Sequence, residues 1–250
     1  MGAIDEFDRN WIGYVETTYI WPLIDKVTCF FNKHKLPAFV SDSTAIRAFT
    51  GLSRDIGDID FVVPLNIDRM FLVNAFCHAF DANFERAMDA DKNVIFIRFR
   101  IPIPIKYRNQ YFFMFDFHLG GIAYKGSHVW HLHDGSAFRR AKQREVLSMA
   151  KDSKTLLPIL PLEETLAIKL HKYIGHDKFD ILAGLASPAI SIDGITSHIT
   201  DIGRAKANAL SITENIEDFF EAFVIYYGED AAEALQCVPE TLNSLIESLS

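Results

Sequence analysis

The stretch AFVSDSTAIRAFTGLSRDIGDIDFVVP, Ala38 to Pro64, sets two carboxylates inside an apolar run. Asp58 and Asp60 flank Ile59 and lead straight into Phe61, Val62 and Val63. Acidic side chains are depleted in strands and costly to bury without a partner. Residues i and i+2 of a strand project from the same face, about 6.5–7 Å apart. Asp58 and Asp60 should therefore point together while Ile59 and Phe61 enter a core. Two carboxylates so placed raise each other's pKa unless a cation sits between them. A hard divalent ion such as Mg2+ prefers oxygen ligands and suits such a pair. A strand with one solvated face explains a bare Asp-x-Asp equally well.

A third acid shifts that balance. Asp116 stands alone in YFFMFDFHL, where alternation puts it on the face of Met114 and His118, opposite Phe115 and Phe117. A lone carboxylate in so apolar a strand needs a partner, and a metal shared with Asp58 and Asp60 supplies one.

Outward from this stretch, residues 8–34 carry helical periodicity, with Pro22 expected to kink or split the helix. PAFVS reads as a short strand, residues 43–50 as a helix that Gly51 stops, DIDFVV as a buried strand and IDRMFLVNAFCHAF as a helix behind it. The period then becomes two in NVIFIRFRI, QYFFMFDFHL and HVWHLH, which predicts strands. Residues 137–160 fit either a helix or a hairpin. From Pro161 onward every pattern is helical, as in LEETLAIKLHKY and TENIEDFFEAFVIYYG. Strands and helices followed by helices alone predict an α/β (α+β) domain over 1–160 and a helical domain over 161–250.

Composition narrows the function classes. A chain of 250 residues with a net charge of −8 does not bind nucleic acid through bulk charge. Cys29, Cys77 and Cys237 form neither a paired nor a metal-type spacing and fit a reducing compartment. No signal pattern opens the sequence and no apolar run is long enough to span a membrane, so a cytoplasmic protein with no membrane partner is expected. Neither a Walker-type glycine loop nor a G-x-S-x-G elbow occurs.

The run from Ala38 to Pro64 resembles the polymerase-β-like nucleotidyltransferase superfamily, in its minimal or AbiEii-like branch. Its signature is a hydrophobic strand, Gly-Gly or Gly-Ser, about a dozen residues, Asp-x-Asp on the next strand, and an Asp on a later strand. Here Asp42-Ser43 stands at the Gly-Ser position and Thr44-Ala45 continues it. Arg54 precedes Asp58-Ile59-Asp60, and Asp116 matches the third carboxylate. PLEETLAIKLHKY with Lys169, then Asp177 and Asp180, resembles the helical segment of that branch, so the likeness covers roughly residues 36–185. It implies a nucleotidyltransferase-type mixed sheet with flanking helices and a C-terminal helical bundle. It also implies transfer of a nucleoside monophosphate from an NTP to a hydroxyl of a small molecule, a protein or an RNA. Asp58, Asp60 and Asp116 would hold Mg2+ or Mn2+ and carry the catalysis. Asp42, Ser43, Thr44, Arg54 and Lys169 would meet the nucleotide.

The departures are specific. Asp42 replaces the first glycine, fourteen residues separate Ser43 from Asp58, and Ile56 stands where Thr or Ser is common. A carboxylate beside an anion opposes nucleotide binding, which leaves a non-catalytic binding or regulatory module as the alternative. An active enzyme requires Asp42 to avoid the phosphates, either by binding a cation itself or by turning away to cap the helix near Ser43, and the cap is the expected role. Asp177 is likewise expected to cap its helix, and Arg47 to be an exposed helical residue. His128, His131 and His133 lack a completing ligand and are expected to be structural or superficial. The clusters around Arg98–Arg108 and Arg139–Arg144 are expected to be solvated unless they converge.

Overall fold

The computed structural model describes residues 6–52, 56–88, 94–124, 128–132, 135–148, 150–228 and 231–250. The chain opens with helix α1 (Glu6–Val15), passes through a π-helical turn (Glu16–Ile20), and continues as α2 (Trp21–His34). Proline lacks an N–H, and its ring would strike the carbonyl four residues back in a regular α-helix. The wider turn just before Pro22 relieves that clash, so the predicted break is a π-bulge within a continuous helical path.

Strand β1 (Phe39–Ser41) leads into α3 (Asp42–Thr50), which Gly51 ends at φ 66°. β2 (Asp58–Val63) follows, and then α4 (Arg69–Phe80), capped by Asp68 accepting from the Phe71 N–H at 3.0 Å. β3 (Asn83–Met88), β4 (Val94–Tyr107) and β5 (Gln110–Leu119) form a meander. β6 (Gly121–Tyr124) and β7 (His128–Leu132) make a separate two-stranded ribbon. His133 lies outside the described residues.

The ambiguous segment resolves into both of its alternatives. A short helix, α5 (Ala137–Arg140), precedes a hairpin of β8 (Lys142–Leu147) and β9 (Lys154–Ile159). Seven strands thus form one mixed sheet in the order β3-β4-β5-β2-β1-β9-β8, parallel at β2–β5 and β1–β9. The C-terminal part is α6 (Leu162–Lys172), α7 (Asp177–Leu185), α8 (Ile192–Ser197), α9 (Ile202–Glu214), α10 (Ile216–Tyr227), a 3-10 turn (Glu233–Cys237) and α11 (Val238–Ser248). The fold is mixed α/β with flanking helices and C-terminal helices.

Alternation along the strands decides where the site can be. Ile59, Phe61 and Val63 of β2, Ile97, Phe99 and Ile101 of β4, and Phe113, Phe115 and Phe117 of β5 enter one core with Phe31 of α2 and Phe76 of α4. The rings interlock, with Phe76 4.3 Å from Phe99 and 5.0 Å from Phe117 between centroids. Offset and edge-on rings at these separations add to the area they bury. The opposite face of the same strands carries Asp58, Asp60, Arg98, Asp116 and His118. A second core gathers Leu166, Leu170, Phe179, Leu182, Leu242 and Leu245 from the C-terminal helices, and Ile46 of α3 belongs to it. Helix α3 thereby ties the start of the sheet to α6 and α7. Among the described residues no helix is long and apolar enough to cross a membrane.

Candidate functional site

The parallel register of β2 and β5 sets Asp60 directly opposite Asp116 and Asp58 opposite Met114. On the other side of β5, Arg98 of β4 is the partner of Asp116. These pairings bring the three expected carboxylates to one sheet face with a guanidinium among them. Arg98 Nε and Nη2 donate to Asp116 Oδ1 and Oδ2 at 2.8 and 2.5 Å, a two-pronged fork, and Nη2 lies 3.7 Å from Asp58 Oδ2. His118 Nε2 lies 2.8 Å from Asp60 Oδ1. Exposure falls from the Asp58 side chain at 36% to that of Asp116 at 5%, so the acids run from the surface into the interior.

The charges do not balance within this group. Burial, reinforced by the Asp58 charge, pushes Asp60 up to about 7. Burial also pushes Asp116 up to about 7, against the opposing pull of its bonds to Arg98. The bond to Asp116 raises Arg98 above its ordinary value, so the guanidinium stays charged. Burial lowers His118 to about 4, leaving a neutral imidazole beside Asp60. Ionised together, the acids carry three negative charges, met by Arg98 among them and by the ammonium of Lys172 acting on Asp60.

A second cluster adjoins the first where β1 runs into α3. Asp42 has φ 68°, in the left-handed region that glycine enters freely and Asp or Asn tolerates among the other residues. This backbone turn carries its carboxylate away from the helix end. Asp42 pairs with Lys169 and Lys172 of α6, and α3 begins without a side-chain cap. The expected capping role is thus corrected: two ammonium groups draw the carboxylate more strongly than the backbone N–H groups of α3.

Lys169 is 1% exposed and also donates to Asp177 Oδ1 at 2.9 Å and Asp180 Oδ2 at 2.7 Å. It is therefore not a solvated lysine; α6 and α7 close around it. Asp177 does not cap α7 as expected, because its oxygens serve Lys169 and the Ile174 N–H at 2.8 Å. Oxygens of Asp42, Asp177 and Asp180 lie within 4.8 Å of one another and could hold a metal ion. In this arrangement the Lys169 ammonium sits among them. Lys172 joins the two clusters. Burial disfavours its charge, but Asp177, Asp60, Asp180 and Asp58 outweigh burial and raise its pKa.

Ser43 and Thr44, expected at the phosphates, line a void of about 10 Å³ with Arg47, Asp180 and Tyr227, room for at most one water. Arg54 lies outside the described residues. Arg47 is not the exposed residue its helical setting suggested. It is 5% exposed and donates to Glu16 Oε2 at 3.1 Å, because the π-helical turn carries Glu16 into the interior.

Sequence reasoning missed Arg98, His118 and Lys172 as parts of the site. The signal for Arg98 was an arginine alternating with apolar residues in NVIFIRFRI, the same kind that exposed Asp116. Lys172 lies three residues after Lys169 and so shares its helix face.

No known family and no curated protein matches this sequence. Several solved structures share part of its course, two of them from Helicobacter pylori. JHP933 from Helicobacter pylori is 13% identical over 85% of each chain, with a TM-score of 0.43. A candidate nucleotidyltransferase from H. pylori is 15% identical over 85% of this chain and 88% of that one, with a TM-score of 0.46. At these scores the likeness carries no argument about chemistry, which rests on the side chains themselves.

Proposed function

We propose that the chain is a metal-dependent nucleotidyltransferase, with Asp58, Asp60 and Asp116 as its metal ligands and catalytic acids. One observation carries this reading: three carboxylates converge on one sheet face and outnumber the two cations beside them, Arg98 and Lys172. The donor set consists of hard oxygens, graded from exposed to buried, and a divalent ion such as Mg2+ or Mn2+ fits both its chemistry and its deficit of positive charge. Bound there, the metal supplies charge stabilisation to the phosphate oxygens of an NTP.

The chain's own residues do the rest. Asp116, opposite Asp60 in the sheet, would take the proton of an acceptor hydroxyl. The hydroxyl oxygen bonds to the α-phosphorus, the bond to pyrophosphate breaks, and pyrophosphate leaves. His118 holds Asp60 in place from within the sheet. Lys172, charged and between Asp42 and the Asp58–Asp60 pair, is the cation best placed to meet the leaving phosphates. Lys169 fixes the wall that carries Asp42. The acceptor is a small molecule, a protein or an RNA.

A non-catalytic module with the same architecture is the second reading, favoured by the small void at Ser43 and Thr44 and by the two lysines that neutralise Asp42. One experiment separates the two. The full chain is incubated with each α-labelled NTP, Mg2+ or Mn2+, and a lysate, beside Asp58→Asn and Asp60→Asn. Label on a macromolecule or small molecule that both substitutions abolish supports the enzyme. Absence of label with all four nucleotides, and no melting shift with Mg2+ and NTP, supports the module.

A further inference from the structure

Arg98 occupies the point that Asp58 and Asp116 share. Its Nη2 lies 2.5 Å from Asp116 Oδ2 and 3.7 Å from Asp58 Oδ2. Its other amino nitrogen, Nη1, lies 3.9 Å from Glu85 Oε1, and Glu85 is the residue paired with Arg98 across β3 and β4. The guanidinium therefore stands between Asp58 and Asp116 on one side and the more exposed Glu85 on the other, and its side chain is 28% exposed. A divalent ion bound to these carboxylates needs oxygens at about 2.0–2.6 Å. The guanidinium competes with such an ion, because like charges repel and the fork to Asp116 engages both of its oxygens.

We propose that Arg98 is the resident countercation of the Asp58–Asp116 pair and swings to Glu85 when a divalent cation takes its place. The inference rests on the reading of Asp58, Asp60 and Asp116 as metal ligands. Arg98 keeps buried Asp116 paired while the metal is away, and it weakens metal binding by the interaction that must be given up. Glu85 lessens that loss by receiving the displaced guanidinium at the surface. Glu85 already accepts from Arg100 Nη2 at 2.7 Å, so its carboxylate is held in position to do so.

The test is Mn2+ titration of the full chain, with free Mn2+ read by electron paramagnetic resonance and melting followed in parallel. Arg98→Gln removes the competing charge and is expected to bind Mn2+ roughly tenfold tighter or more. Its melting temperature should fall in chelator, where Asp116 is left unpaired, and rise further on Mn2+ addition than that of the unaltered chain. Glu85→Gln removes the receiving partner and is expected to bind Mn2+ about threefold more weakly. If Arg98→Gln does not fold, the Glu85→Gln affinity decides alone. Equal or weaker Mn2+ affinity in Arg98→Gln, with binding still lost in Asp116→Asn, overturns the inference and leaves the metal site standing. Mn2+ binding by neither the unaltered chain nor Arg98→Gln overturns the metal reading, and the inference falls with it.

Discussion

Asp60 and Asp116 stand opposite one another across the parallel β2–β5 pair, and burial raises both to about 7. An acid with a raised folded pKa binds more protons folded than unfolded between its two pKa values, so stability falls as pH rises through that window. His118, lowered from 6.5 to about 4, acts in the opposite sense below pH 6.5. The decline is therefore clearest from about pH 6.5 to 8, where the chelator-treated protein should lose about 1 kcal/mol. Saturating Mg2+ should flatten the slope, because the ionised acids are then paired. Urea unfolding at the two pH values, with chelator or Mg2+, measures this; a chelated protein that gains stability over the interval would sink the idea.

Lys169 holds Asp177 and Asp180 at 2.9 and 2.7 Å and also pairs with Asp42. Removing one partner of a buried ionic cluster leaves the others uncompensated, at a cost of about 3–5 kcal/mol. Lys169→Met should show that loss in denaturant unfolding. A loss below about 1 kcal/mol, the range of an exposed pair, would mean that the cluster is open to solvent.

Asp42 combines a left-handed backbone with two lysine partners. Asp42→Gly and Asp42→Ala lose the same charge, but only glycine adopts φ 68° without strain. The alanine variant should be less stable than the glycine variant by about 1 kcal/mol. Parallel urea titrations compare them, and equal stabilities would place the residue outside the left-handed region.

Arg47 and Glu16 form a buried pair at 3.1 Å that fastens the π-helical turn to α3. Arg47→Leu leaves Glu16 with its bond from the Ile56 N–H but without the guanidinium. The expected loss is about 3–5 kcal/mol. Glu16→Gln with Arg47→Leu should recover part of it, which a double-mutant cycle in denaturant unfolding would reveal.

Gly184 of α7 faces Leu166 of α6, where an added Cβ would lie 2.5 Å from Leu166 Cδ2. Leu166 is fully buried and has little room to retreat. Gly184→Ala should cost about 1–3 kcal/mol, and the second substitution Leu166→Ala should relieve part of the clash. Thermal melts of the single and double variants make the comparison; an unchanged melting temperature in Gly184→Ala would refute close packing of α6 on α7.

Period-two alternation around Asp58, Asp60 and Asp116 was enough to place all three on the polar side of strands whose other side is aromatic, because side-chain direction in a strand is a local property. Gly51 likewise marked the end of α3 through its own backbone freedom. Residues 137–160 were ambiguous because β9 gains its place only by pairing with β1, more than a hundred residues away in the chain. Asp42, Asp177 and Arg47 were misread for a related reason. Each has a plausible local role, as cap or solvated side chain, and each is claimed instead by an oppositely charged residue. For Asp42 the partners are 127 and 130 positions away, for Arg47 the partner is 31 away, and for Asp177 it is 8 away on the preceding helix.

The sequence by itself determined most of the element types and the apolar and polar faces of β2 and β5, with Asp58 and Asp60 together on one polar face and Asp116 on another. These follow from torsional preference and periodicity, which act over a few residues. Only the tertiary structure decided how the charges are shared: Arg98 on Asp116, Lys169 and Lys172 on Asp42, and His118 on Asp60. Coulomb attraction in a buried site acts through space and strengthens as water is excluded. The partner of each charge is therefore set by which strands and helices the packing brings together.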